Sequence, residues 1–503
     1  MSLTEQQKLI NENLFLKTQN QQKTGQIEHL LETIQILRMK IFAPKSERIK
    51  EDANNDQAGL FDEAEADVLL AELEEKLEQL DSVIVKEHER VRGKRKPLPD
   101  NLPREVIVIE IPLSERICTE DGSILTEIGE VVSERLEIIP QQIKVIKTIR
   151  KKYGCSVCEG CVKTAPCPLH ILPKCNAGTG LIAHVMVSKY LDHLPLYRLE
   201  NIFERMDINL TRGTLGRWIV QVGEQLTPIM NLLEDELMAS SYLQCDETRV
   251  QVLNEKQKLI ESNKYMWIRR RPGLNPIIIY EYDPSRASHV PKRLLADFKG
   301  YLQVDGYGGY NELTKTGNVI RIGCLAHVRR KFAEIVKANK KKAGVASRAV
   351  AIIKKLYQIE DEVRSKTIEE RFTIRNQKSV EFFNLLVELI EESIPKTPPQ
   401  SNLGKALNYA KVELPKIKNF LSDGRIEIDN NEIENAIRPF ALGRKNWLFS
   451  ATVKGAHASA RIYSLILTAK ANGKDPFQYL KNVFEKLPHA QTLEDIEALL
   501  PNR

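Results

Sequence analysis

The sequence predicts a multidomain α+β chain: an N-terminal coiled-coil helix, a small cysteine-based module, a helical region, and an α/β core interrupted by a helical insertion. Three observations carry that prediction. Apolar residues recur every seventh position near the N-terminus, and five of the eight cysteines fall between 155 and 175. After residue 240, short aliphatic and aromatic runs alternate with turn signals and a helical stretch. The 503 residues are enough for three or four folding units. With 42% hydrophobic and 28% charged residues, the composition excludes a wholly disordered chain. The net charge of +6 is too small to mark a nucleic-acid binder unless it is concentrated somewhere. No apolar run approaches the roughly 18 residues of a membrane span. The polar start MSLTEQQKLINENL lacks a signal-peptide pattern, so a soluble, intracellular protein with no membrane partner is expected.

Residues 1–43 form the expected coiled-coil helix. Asn13, Asn20, Ile27, Ile34 and Ile41 take the a positions, and Leu9, Leu16, Leu30 and Leu37 take d. Beta-branched a with Leu at d favours a parallel two-stranded coil, and buried Asn pairs fix its register. A single amphipathic helix packed on its own domain would give the same pattern. Pro44 ends the helix, in FAPKSERI.

Residues 44–104 read as an acidic, then basic linker. Twelve acids fall between 51 and 82, with LLAELEEKLEQL a short helix; seven Lys and Arg against three acids follow between 86 and 104. Arg92, Lys94, Arg95 and Lys96, flanked by Gly and Pro, suit phosphate contacts or a minor groove. A solvated linker is the plainer alternative.

Residues 105–176 make the cysteine module. Cys155 and Cys158, two residues apart, are half of a tetrahedral zinc site. Upstream stands only Cys118, with Asp121 where a partner cysteine would fall; Cys161, Cys167, His170 and Cys175 are rival ligands, and inert reduced thiols are the alternative. Seven bases against one acid between 141 and 176 would let this module face DNA. Residues 177–240 read as helices broken at Met206-Asp207-Ile208, with Thr211 as a cap and Arg212 and Arg217 outward on the next helix. That arrangement resembles a helix-turn-helix, and an ordinary helical linker explains it nearly as well.

The core occupies 241–332 and 421–460. LQCDETRVQVL, YMWIRRR and PIIIYEYD read as three strands, VPKRLLADF as a helix, YLQVDGYGGY as a fourth strand, and IRIGCLAHVRRKF as a strand running into a helix. This is the ribonuclease-H-like order. Asp246 lies on the first strand and Asp305 at the end of the fourth, neighbours in such a sheet, so both carboxylates could converge on divalent metal. A third acid is expected from the late helix in DNNEIENAIRPFALGRKNWLF. Asp429 is a natural N-cap and Glu432 its capping-box partner, which leaves Glu434 for metal. Arg438, four residues on, could simply pair with Glu434. Arg444 and Lys445 can reach phosphate, and Trp447 offers a stacking face. Residues 333–420 are lysine-rich and helical, and 461–503 form a helical tail.

The chain resembles the transposases of the insertion sequence 66 family, which use a DDE triad. FAPKSER, GKRKPLP, the cysteine knuckle, SKYLDHLPLYR, CDET, VDGYGGY, CLAHVRRKF, DNNEIENAIRPFALGRKNWLF and SLILTAKANGKDPFQYL carry the resemblance, which covers nearly the whole chain. It implies that Asp246, Asp305 and Glu434 are the catalytic triad and hold two Mg2+ ions, or Mn2+. It implies that 333–420 is an insertion, and that Cys324-x2-His327 is the C-x2-H signature supporting the site. A satisfied core Cys and His explain that pair equally well. The family usually has a full Cys pair where Cys118 and Asp121 stand, and Trp after its closing Leu-Leu-Pro, where this chain reads LLPNR. The resemblance further implies zinc, DNA partners (terminal inverted repeats and target), a homodimer or higher oligomer, small accessory proteins, and a bacterial cytoplasmic, nucleoid-associated location. The function expected is metal-dependent cleavage at element ends and strand transfer. An inactive zinc-containing regulator, or a nuclease that cleaves without joining, are the alternatives.

Overall fold

The computed structural model describes residues 30, 31, 34, 143–154, 162–254, 264–338 and 344–503. The acidic-basic linker with Arg92, Lys94, Arg95 and Lys96 lies outside the described residues, as do Cys118, Cys155, Cys158 and Cys161. So does the heptad except Leu30 and Ile34, which with Leu31 are helical and exposed.

The chain divides into two units, 74–164 and the remainder. In the first, β1 (Lys152–Gly154) and β2 (Val162–Thr164) pair antiparallel and bracket 155–161. Ahead of them, Ile143, Val145, Ile146 and Ile149 are exposed.

The second unit starts with four helices: α1 (Thr179–Tyr190), α2 (Leu196–Glu204), α3 (Arg212–Gln225) and α4 (Thr227–Met238). The expected break falls at Asp207, whose φ is +58°. Thr211 caps α3 by accepting from Thr214 N, and Arg212 and Arg217 are exposed on it.

A mixed five-stranded sheet follows, in the order β6-β5-β3-β7-β8. Central β3 (Tyr242–Val250) runs antiparallel to β5 (Lys264–Arg271), which pairs with β6 (Ile277–Asp283). On its other side β3 runs parallel to β7 (Gly300–Gln303), and β7 to β8 (Val319–Ile322). The crossover from β6 to β7 carries the short helix α5 (His289–Leu294). Side chains alternate along β3: Leu243 and Cys245 enter one apolar core, while Tyr242 and Gln244 face the other side. The run LQCDETRVQVL is two strands rather than one. After Gln251 the chain leaves the main sheet, and β4 (Val252–Asn254) pairs instead with β9 (Ser450–Thr452).

Edge strand β6 is covered by α12 (Val453–Ala471), a helix buried along most of its length. Thr468 Oγ1 accepts from Ile278 N at 3.0 Å and donates to Ile278 O at 3.1 Å; Ser464 Oγ accepts from Tyr280 N at 2.8 Å. These hydroxyls satisfy backbone groups that an edge would leave open. On its other flank α12 meets α3 so closely that a Cβ on Gly223 would lie 2.5 Å from that of Ala458. Helices α13 (Pro476–Lys486) and α14 (Leu493–Glu497) end the chain.

Between β8 and the late core segment run α6 (Leu325–Ala338), α7 (Val345–Val363), α8 (Ile368–Ile374), α9 (Val380–Ser393) and α10 (Asn402–Ile417). They build a separate apolar cluster around Phe332, Leu356, Phe383, Leu407 and Phe420. Inside it Arg375, wholly buried, donates to both carboxylate oxygens of Glu360 at 2.8 and 2.5 Å. Arg371 links Glu360 (3.8 Å) to Glu427 (2.9 Å), just ahead of α11 (Asn431–Trp447). Among the described residues, no helix is long and apolar enough to cross a membrane.

Candidate active site

Asp246 sits mid-strand on β3, opposite Ile268 of β5. Its Oδ1 accepts from Glu247 N at 2.7 Å. Burial raises its carboxyl well above the ordinary range, and the carboxylates of Glu247, Asp305 and Glu434 push the same way. Asp305 lies just beyond β7, at the carboxyl end of a parallel strand, where ligands collect in open α/β sheets. Its Oδ1 accepts from Tyr307 N at 2.9 Å, forming an Asx-turn, and Arg321 Nη2 donates to its carbonyl at 2.5 Å.

A buried polar network fixes the approach to α11. Gln303 Oε1 accepts from Tyr242 OH at 2.5 Å and Gln244 Nε2 at 2.9 Å, while Gln303 Nε2 donates to Glu427 O at 2.8 Å. Glu427 N donates to Tyr242 OH at 3.1 Å. Farther along, Leu325 N donates to Ile428 O at 3.2 Å, and Asn430 N to buried Cys324 Sγ at 3.4 Å. Two central strands and α6 thus set where α11 begins.

Glu434, in the first turn of α11, accepts from His327 Nε2 at 2.7 Å and pairs with Arg330 at 3.5 Å. Burial alone would raise its carboxyl; His327, Arg330 and Arg438 outweigh that, and it falls below the usual value. The capping assignment differs from expectation. The N-cap is Asn430, with no side-chain cap bond, and Asp429 precedes it. Asp429 instead accepts from Asn431 N and Tyr357 OH, and Glu432 pairs with Arg270. The helix starts one residue later than expected, and Asn430 N donates to Cys324 Sγ.

Asp429 makes the pH dependence of this region testable. Burial pushes its carboxyl up to about 6, against bonds from Tyr357 and Asn431 that favour the charged form. The unfolded value is near 3.9, so the native state keeps this proton longer than the unfolded chain does. Its contribution to stability therefore falls as pH rises from about 4 to about 6. Asp429→Asn is expected to flatten that part of the urea-midpoint profile; an unchanged slope would exclude Asp429 as its source.

Beside Asp305 opens a cleft of about 430 Å³, lined by Arg286, Tyr307, His327, Arg330, Lys331 and Tyr409 among others. Arg286 donates to Glu247 Oε1 at 2.6 Å, and its guanidinium lies 4.0 Å from the Tyr307 ring centre. Glu247, Arg286, Tyr307 and Arg330 escaped the sequence reading. Glu247 was visible as a second acid in CDET, and Arg330 as a base one helical turn after His327.

Asp305 and Glu434 both act electrostatically on Asp246. Their oxygen donors suit a hard divalent cation, and the mutual repulsion at Asp246 is what such a cation would relieve. Yet among the described residues no three His, Cys, Asp or Glu side chains stand together as a metal cluster, and Glu434 is bound to His327 and Arg330. The same holds for Cys167, His170 and Cys175; His170 Nδ1 bonds Leu172 and Cys175 Sγ accepts from Ala177 N. Of the residues expected to meet DNA, Arg438 and Lys445 are exposed. Arg444 instead donates to Thr248 Oγ1 and Arg249 O on β3. Trp447 is half-buried, edge-on to Phe440 at 5.5 Å with Lys189 Nζ 5.3 Å from its ring centre.

Residues 174–458 match the Transposase IS66 family, and 464–502 the IS66 C-terminal element. Residues 115–159 match the zinc-finger binding domain of transposase IS66, and 29–107 the Transposase C of IS166 homeodomain. The chain is 34% identical over 417 residues to the uncharacterized protein y4jD of Sinorhizobium fredii, covering 80% of this chain and 81% of that one. It is 32% identical over 507 residues to the uncharacterized protein y4qI of the same organism, covering 97% and 90%. No solved structure matches.

Proposed function

Because the chain belongs to the Transposase IS66 family, we propose that it is a DDE-type DNA transposase that cuts DNA at element ends and joins the freed ends to target DNA. The observation that carries this reading is the electrostatic coupling of Asp246 to Asp305 and Glu434 beside a cleft in which Arg286, Arg330 and Lys331 stand with Asp305 and Glu334. The strand order β6-β5-β3-β7-β8, with the first core strand central and three strands antiparallel, supports a ribonuclease-H-like core.

Bound Mg2+ would supply Lewis-acid stabilisation of a phosphodiester under attack and a lowered pKa for its nucleophile. Asp246, Asp305 and Glu434 would hold it. His327 and Arg330 orient Glu434, and Cys324 holds the start of its helix, so the C-x2-H pair acts in support. In the first step a water oxygen bonds to phosphorus, the bond to the 3′-oxygen breaks, and that oxygen gains a proton while the water loses one to solvent. In the second, the freed 3′-hydroxyl attacks a target phosphodiester and displaces its 3′-oxygen, again with one proton lost and one gained. Arg286 and Lys331 offer charge to the flanking phosphates. The heptad at 9–41 would bring two copies, and so two ends, together. The module containing Cys155 and Cys158, with Cys118 and Cys161 as further ligands, would bind zinc and contact DNA with the basic arm.

The test is a cleavage and joining assay with the full chain, the inverted repeats flanking its gene, and Mg2+. Both cut and joined products are expected. Cut products alone would indicate a nuclease, and neither would indicate a regulator.

A further inference from the structure

The cleft beside Asp305 has a composition that a phosphate track alone does not require. Two tyrosines face it, each already paired with a cation: Arg286 lies 4.0 Å from the Tyr307 ring centre, and Lys331 Nζ 4.5 Å from that of Tyr409. Gly306, next to Asp305, is the residue that admits Tyr409. A Cβ there would lie 2.8 Å from the Tyr409 hydroxyl and 2.9 Å from its ring. The Tyr409 ring therefore rests against backbone adjoining a triad carboxylate, although it comes from α10, about a hundred residues away in sequence. On their other sides, Arg286 is held by Glu247 and Arg330 by Glu434, so these two guanidinium groups are positioned before any ligand arrives.

Aromatic rings with cations beside them recognise a single nucleotide: the rings offer stacking to a base and the cations bind its phosphate. A volume of about 430 Å³ is in the range of small-ligand pockets and on the scale of one nucleotide. A base stacked within a duplex cannot enter, so the occupant must be unpaired. We infer that this cleft binds one unpaired nucleotide of the DNA substrate, adjoining the phosphodiester held at the carboxylates, with its base against Tyr409 and its phosphate at Lys331 and Arg330. The inference rests on the transposase reading and adds to it a requirement for local unpairing at the cut site.

Fluorescence anisotropy of the full chain, with Ca2+ replacing Mg2+, tests it. Three labelled DNAs are compared: a blunt duplex, the same duplex with one 3′-overhanging nucleotide, and one whose overhanging sugar-phosphate lacks a base. The base-bearing overhang is expected to bind at least about fivefold tighter than either other DNA. Tyr409→Ala should remove that preference, and Tyr409→Phe should keep it. Equal binding of the abasic and base-bearing overhangs overturns the inference, as does a preference that survives in Tyr409→Ala. Should Tyr409→Ala fail to fold, the three-DNA comparison on the unaltered chain decides. Blunt-duplex binding without preference defeats this inference alone; no binding to any of the three defeats the transposase reading too.

Discussion

Asp246→Asn is expected to abolish cleavage and joining, by on the order of 10³-fold or more, while raising the melting temperature at neutral pH. The two effects have one cause. Asparagine keeps the side chain's shape and can still accept from Glu247 N, but removes a buried charge that repels Glu247, Asp305 and Glu434. The native carboxyl is raised above its unfolded value, so at neutral pH its ionised form costs stability that the amide does not. A variant that is inactive and unfolds earlier would mean only that Asp246 matters for packing. Strand transfer retained in Mg2+ would remove Asp246 from the triad. Thermal scanning and the joining assay on one preparation separate these results.

Arg375→Met is the second large effect, and it lies far from the chemistry. It would leave Glu360 buried without its bidentate partner, at a cost of about 3–5 kcal/mol. Arg371, 3.8 Å from Glu360, is too distant to compensate fully and is engaged with Glu427. Adding Glu360→Leu should recover most of the loss, since paired apolar replacement of a buried ion pair is often neutral or stabilising. Urea midpoints of the single and double variants check this. A single variant within about 0.5 kcal/mol of the parent would show that the pair contributes nothing measurable, as surface pairs often do.

What the sequence could tell about this protein divides along a physical line. Strands and helices announced themselves by local periodicity, and the Thr211 cap was readable because capping is a contact three residues long. The placement of Asp246 on the first core strand and of Asp305 just after a later strand was legible, because strands and the turn before a glycine leave local marks. The clamp on Glu434 was not: His327 comes from a helix 107 positions earlier, and nothing local records that meeting. Asp429 shows how a sound local rule can lose to tertiary structure. It has the right chemistry for an N-cap, but its carboxylate is shared with Tyr357 of a distant helix, and the helix begins one residue later. Arg444 was expected to reach phosphate and is instead bonded across to β3, because α11 packs over that strand. Neither outcome could be read without knowing which surfaces face each other.

The hydroxyls of Ser464 and Thr468 have a consequence for how copies of this chain can associate. By occupying the backbone groups of β6, they leave that margin of the sheet unable to recruit a strand from a neighbour. Both residues belong to the stretch 464–502 that matches the C-terminal element. A chain shortened at that point would leave the backbone of β6 open at the edge of the sheet. The C-terminal segment therefore closes this margin of the sheet to a further strand, and any association of copies would have to use other surfaces.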